Sequence, residues 1–101
     1  IQELLSEFPY DGWPYMLQAD LFIRRQQPMK AMFQYKDGVN FNPDFLDKKT
    51  ELFQGKKIKV HLEEARVEIM NGLQNHPDDK VFKKSLKTYY YMKRKIAGSC
   101  G

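Results

Sequence analysis

Cysteine is nearly absent from this sequence. Cys100, next to the last residue, is the only one, which excludes an intramolecular disulfide and a cysteine-built zinc site and makes a reducing compartment the natural setting. Long apolar runs are missing too: nothing approaches the ~18 residues of a membrane span. The opening Ile-Gln-Glu-Leu-Leu-Ser-Glu has neither the basic start nor the apolar stretch of a signal peptide. An intracellular protein is expected, nuclear if the organism is eukaryotic, with no membrane among its partners. The few glycines are scattered at turn positions, so there is no G-x-G-x-x-G, no Walker loop and no G-x-S-x-G elbow. Internal repeats and low-complexity segments are absent.

The 101 residues suit one domain, and 42% apolar with 14% aromatic residues is enough to build a core without disulfides or metal. The chain starts at Ile1 and ends in Ala-Gly-Ser-Cys-Gly, so it is expected to be a single domain, residues 1 to 101, from something longer.

Punctuation divides the chain. Ile1 to Phe8 reads as a short helix stopped by Pro9, and Tyr10 to Tyr15 as a packed aromatic loop. From Met16 the period becomes two: Leu17, Ala19, Leu21 and Ile23 alternate with polar residues, although Phe22 breaks the row. After Arg24-Arg25-Gln26-Gln27-Pro28, a second alternation (Met29, Ala31, Phe33, Tyr35) runs to Asp37-Gly38. These predict an antiparallel hairpin, with a short third strand at Val39 to Phe41. Asn42-Pro43-Asp44 predicts a capped helix start, with Phe45, Leu46, Leu52 and Phe53 buried and Gly55 as the stop. Lys56 to Leu62 alternates again, Ile58, Val60 and Leu62 on one face, and reads as a strand; Glu63 to Leu73 fits helix or strand. The expected fold is therefore α+β: a small antiparallel sheet of three or four strands packed with two to four helices.

The last element is the clearest. Pro77-Asp78-Asp79 is a helix start, and no proline or glycine follows until Gly98. At 100° per residue, Val81, Phe82, Leu86, Tyr89, Tyr90, Met92, Ile96 and Ala97 fall on one half, with Ser85 and Lys93 among them. Lys80, Lys83, Lys84, Lys87, Arg94 and Lys95 fall on the other, with Tyr91 near its middle. Residues 78 to 95 hold seven basic and two acidic side chains, a net of +5, so the rest of the chain sums to −1 against a total of +4. Like charges at i,i+4, such as Lys80 with Lys84, cost a few tenths of a kcal/mol each, a cost that a polyanion would remove. Phosphates are the common intracellular polyanion, and a tyrosine among lysines adds a stacking or hydrogen-bonding group. The ordinary alternative is a solvated outer face whose C-terminal cations complement the helix dipole.

Arg24 and Arg25, with Lys30, form a second basic cluster at the expected hairpin tip, which reaches phosphates or a groove or merely protects a strand end. Lys56, Lys57 and Lys59 form a third. Tyr10, Trp13 and Tyr15 are candidates for a peptide-binding pocket, or else cover one end of the core. An exposed sheet edge near Met29 to Tyr35 would offer a peptide another route.

No catalytic constellation stands out. His61 and His76 lack partners at metal-site spacing. His61-Leu62-Glu63 has the H-x-E of zinc deaminases without their P-C-x-x-C. Pro43-Asp44 followed by Asp78-Asp79-Lys80 imitates a nuclease layout only loosely, since its prolines are explained as helix starts. No catalytic residue, metal or cofactor is expected, and zinc-finger, homeodomain, zipper and RNA-recognition signatures are missing. The sequence thus points to a non-enzymatic binding module, or a non-catalytic domain of a larger enzyme. Its expected partner is DNA or RNA, met on the basic helix within a larger nuclear or nucleoprotein assembly; the alternative partner is an acidic or extended peptide.

Overall fold

Helix starts and stops are written into the sequence more plainly than the alternations are. The computed structural model describes residues 11 to 100 and contains, among them, four α-helices, one 3₁₀ turn and no strand. Helix α1 (Trp13–Arg24) opens on Gly12, whose φ of +73° suits a residue without a side chain, and Asp11 Oδ1 accepts from the Trp13 amide at 3.1 Å. It closes in a Schellman motif: the Gln27 amide donates to Phe22 O at 2.8 Å and the Gln26 amide to Ile23 O at 2.9 Å, with Gln26 at φ +58°. Helix α2 (Pro28–Phe41) starts on its proline, and a carboxylate from another helix, Glu68 Oε1, accepts from the Met29 amide at 3.2 Å.

The Asn42 cap forms as expected, its Oδ1 accepting from the Asp44 amide at 3.1 Å, but it starts a single 3₁₀ turn (Pro43–Leu46) rather than a helix reaching Gly55. Phe45 and Leu46 drop into the core there. Thr50 Oγ1 donates to Asp44 O and Asp47 O, and the Gln54 amide to Phe45 O at 2.7 Å, closing the loop. Gly55 then begins helix α3 (Gly55–Asn75) instead of ending a helix. Asp79 Oδ1 caps helix α4 (Lys80–Cys100), accepting from the Val81 amide at 2.8 Å and the Phe82 amide at 3.3 Å.

Each helix packs on the next, and α4 also returns to α2 and the 3₁₀ turn. The core is a set of helical stripes: Ala31, Met32, Tyr35 and Val39 from α2; Ile58, Leu62, Ala65 and Ile69 from α3; Tyr89, Met92 and Ile96 from α4. Buried Ser85 satisfies its hydroxyl by donating to Val81 O at 2.8 Å.

The expected α+β sheet is therefore overturned. The strands at 16–24, 29–36, 39–41 and 56–62 are all helical, the Asp37-Gly38 turn lies inside α2, the hairpin tip is a helix–helix corner, and no sheet edge exists among the described residues for a peptide to join. The ambiguous stretch 63–73 is helix, and the expected loop at 13–15 is the first turn of α1. The expected helix at 1–8 lies outside the described residues. The physical reason lies in both propensity and period. From Met16 to Lys36 the only β-branched residue is Ile23, while alanine, leucine, methionine and glutamine are good helix formers. In α3 the spacing 58, 62, 65, 69 fits a helix, and Val60, which an alternating strand would bury beside Ile58 and Leu62, is 60% exposed.

Val60 and Leu62 thus separate the two folds. Leu62→Ala is expected to lower unfolding stability by about 2–5 kcal/mol and Val60→Ala by no more than about 0.5 kcal/mol, read by urea denaturation; equal losses would favour a strand. Gln26→Gly, which relieves a side chain at a left-handed φ, should instead raise stability by up to about 1 kcal/mol in the same assay.

Candidate nucleic-acid interface

Three consecutive tyrosines on α4 have three different environments. Tyr89 is 4% exposed, and its hydroxyl donates to Glu63 Oε2 at 2.7 Å. Tyr91 is half-buried, its hydroxyl donating to Asn40 Oδ1 of α2 at 2.9 Å while Lys95 Nζ lies 5.7 Å from its ring centroid. Tyr90, assigned to the buried half by the helical wheel, is 51% exposed, and its ring meets Tyr89 edge to face at 5.3 Å and 67°. Val81 and Ala97, assigned to the same half, are exposed as well.

The basic side is where the periodicity put it. Lys80, Lys83, Lys84, Lys87 and Arg94 are exposed; Lys95 is half-buried against Tyr91. Among the described residues, Lys80, Lys84, Lys87 and Arg94 have no carboxylate partner, and Lys83 has only a 3.8 Å contact with fully exposed Asp78. Lys93, by contrast, sits 3.4 Å from Glu63. Between α2 and α4 runs an open groove of about 420 Å³ lined by Lys36, Asn40, Lys84, Lys87, Thr88 and Tyr91, with no acidic residue in its wall. Lys36 and Asn40 were not candidates from sequence, because nothing in the chain order says that α2 lies beside α4.

Helix polarity does not account for these cations. Lys80, Lys83 and Lys84 occupy the N-terminal end of α4, where the dipole is positive, and its last turn holds no basic residue. Asp78 and Asp79 offset part of that cost.

The other candidates are placed elsewhere. Arg24 ends α1 and Arg25 follows it, both exposed, on a helix that packs on α2, and neither lines the groove. Trp13 stacks on the buried Phe45 at 5.6 Å and 18° and packs against the core, and Tyr15 tilts against the exposed Phe41 at 5.8 Å and 49°; both rings are half-buried. Tyr10 lies outside the described residues. Lys56 and Lys57 open α3 and, with Lys48, Phe53 and Gln54, line a separate cavity of about 600 Å³, where Lys57 pairs with Asp20. His61 pairs with Glu64 and stacks on Tyr35 at 6.1 Å, while His76 is exposed. No group of three or more acidic, histidine or cysteine side chains that could hold a metal occurs among the described residues, and none of the described helices is long and apolar enough to cross a membrane. The Tyr35 hydroxyl is buried without a hydrogen-bond partner among the described residues, and burial, then the Asp20 and Glu64 carboxylates, push its pKa up.

Glu63, which in the sequence belongs only to an incomplete H-x-E motif, ties α3 to α4. The Tyr89 hydroxyl, more than Arg66 or Lys93, holds its carboxyl below the usual 4.5, and burial followed by that same bond raises the Tyr89 phenol from 10.0 to about 12. Because Glu63 is lowered in the fold, its contribution is present above pH 4.5 and fades as pH falls through the lowered value. Because Tyr89 is raised, its contribution is present below pH 10 and is lost as pH rises toward 12. Between these limits Tyr89→Phe should cost about 1 kcal/mol, reduced by the solvent exposure of Glu63. The difference from the unaltered chain should shrink in acid and in alkali, as measured by urea unfolding across pH; a cost independent of pH would show that the bond contributes nothing.

Comparison with known proteins gave no match to any family model, curated protein or solved structure.

Proposed function

We propose that this chain is a non-enzymatic module that binds the phosphate backbone of nucleic acid on the basic side of α4, with Lys36 of α2 as an added contact. The observation that carries the reading is the position of the cations. Lys84, Lys87 and Lys36 converge on one open groove without an acidic wall, and the cations of α4 are not arranged to complement its dipole. Fourteen residue steps separate Lys80 from Arg94, about 21 Å of helix, so the cations form an extended track along α4 rather than a point charge. Phosphate contacts of this kind position a protein on nucleic acid without reading its sequence.

Binding should be steeply salt-dependent, log affinity falling with log salt at about 0.9 per phosphate on duplex DNA and about 0.7 on a single strand. Lys36→Glu and Lys87→Glu should each lower that slope by about 1, measured by fluorescence anisotropy over a salt series. Unchanged affinity in the combined variant Lys83→Glu, Lys87→Glu, Arg94→Glu would sink the reading. Binding to polyglutamate but not to DNA or RNA would transfer the surface to an acidic protein partner.

A further inference from the structure

Tyr90 is an aromatic ring that the fold does not bury. Its neighbours are committed: Tyr89 to the core and Glu63, Tyr91 to Asn40 and Lys95. Tyr90 remains 51% exposed, and on a helix its surface neighbours at i−7, i−3 and i+4 are Lys83, Lys87 and Arg94. One side of the ring is in contact: it meets, at 5.3 Å and 67°, a tyrosine whose hydroxyl donates to Glu63 at 2.7 Å. The exposed remainder is open to a stacking base.

We propose, resting on the reading that α4 contacts nucleic acid, that Tyr90 is a base-stacking platform and that the preferred ligand is a single strand. Every base has a π-face, and stacking beside a cationic track is how proteins hold single strands without reading sequence. In a duplex those faces are stacked inside the helix, so Tyr90 adds to binding only when bases are unpaired. Tyr91, which the sequence made the obvious stacking residue, serves instead as a latch between α4 and α2.

The test uses the full chain, an oligothymidylate of about 12 nucleotides, within the size of single-strand sites, a duplex of equal length, and a strand of equal length made of abasic sugar-phosphates. Anisotropy at fixed salt should show Tyr90→Ala weakening the oligothymidylate complex about 5- to 100-fold, with the duplex and abasic complexes changed less than about 2-fold. Tyr90→Phe should bind as the unaltered chain does, whereas Tyr90→Leu, which keeps apolar bulk beside Tyr89, should behave like Tyr90→Ala. Equal weakening on all three probes, or none on oligothymidylate, overturns the platform while leaving phosphate binding intact. A chain that favours the duplex overturns the single-strand preference. Failure to bind any of the three probes removes the function proposed above, and the platform with it.

Discussion

Tyr89 sets the rotation of α4 about its own axis, and the character of the exposed surface follows from that setting. Its ring is almost wholly buried and its hydroxyl donates to Glu63 on α3, so one apolar and one polar contact fix the same side chain. Each following residue turns 100°. Tyr90 consequently faces solvent and Tyr91 faces α2, where Asn40 accepts from its hydroxyl. Met92 and Ile96 complete the buried stripe, and the lysines are left on the outer arc. A helix free to roll would mix these roles, because its apolar half is wide enough to be buried in more than one register.

The surrounding core supports that setting by ordinary means. Ile58, Leu62 and Ile69 are buried along α3, each contributing about 1.5–3 kcal/mol through loss of apolar surface. The helix ends are closed locally by Asp11, Asn42 and Asp79, and at α2 by a carboxylate from α3, Glu68. That last contact joins capping to tertiary structure: the start of α2 is completed only when α3 is in place. Tyr35 is buried in this core, its ring stacked beside His61 and its hydroxyl without a partner among the described residues.

On the outer arc electrostatics act against the isolated chain. Lysines at i,i+4 repel one another, and those near Lys80 also face the positive end of the helix dipole. Asp78 and Asp79 answer only part of this. The fold tolerates the remainder because the opposing side of α4 is firmly packed, and an anion bound along the groove would relieve it.

How much of this was legible in the sequence depended on whether the governing interaction was local. Helix α4, its start at Pro77-Asp78-Asp79 and its cationic arc followed from the chain order, since helix-start signals and 3.6-residue periodicity are set within a few residues; that Asp79 is the capping residue came from the structure. The Asn42 cap also followed from the chain order. The alternations at 17–23, 29–35 and 58–62 misled, because short apolar runs fit both periods; packing decided for the helix once Met32, Val39, Ala65 and Ile69 extended the 3.6-residue stripes. The sequence by itself determined that a long basic amphipathic helix closes this chain and where its cations lie. Only the tertiary structure decided that Lys36 and Asn40 stand beside them, that Glu63 pins Tyr89, and that Tyr90 rather than Tyr91 is the exposed ring. Those facts depend on which helices touch, and contacts between residues 26 or 51 positions apart leave no trace in local periodicity.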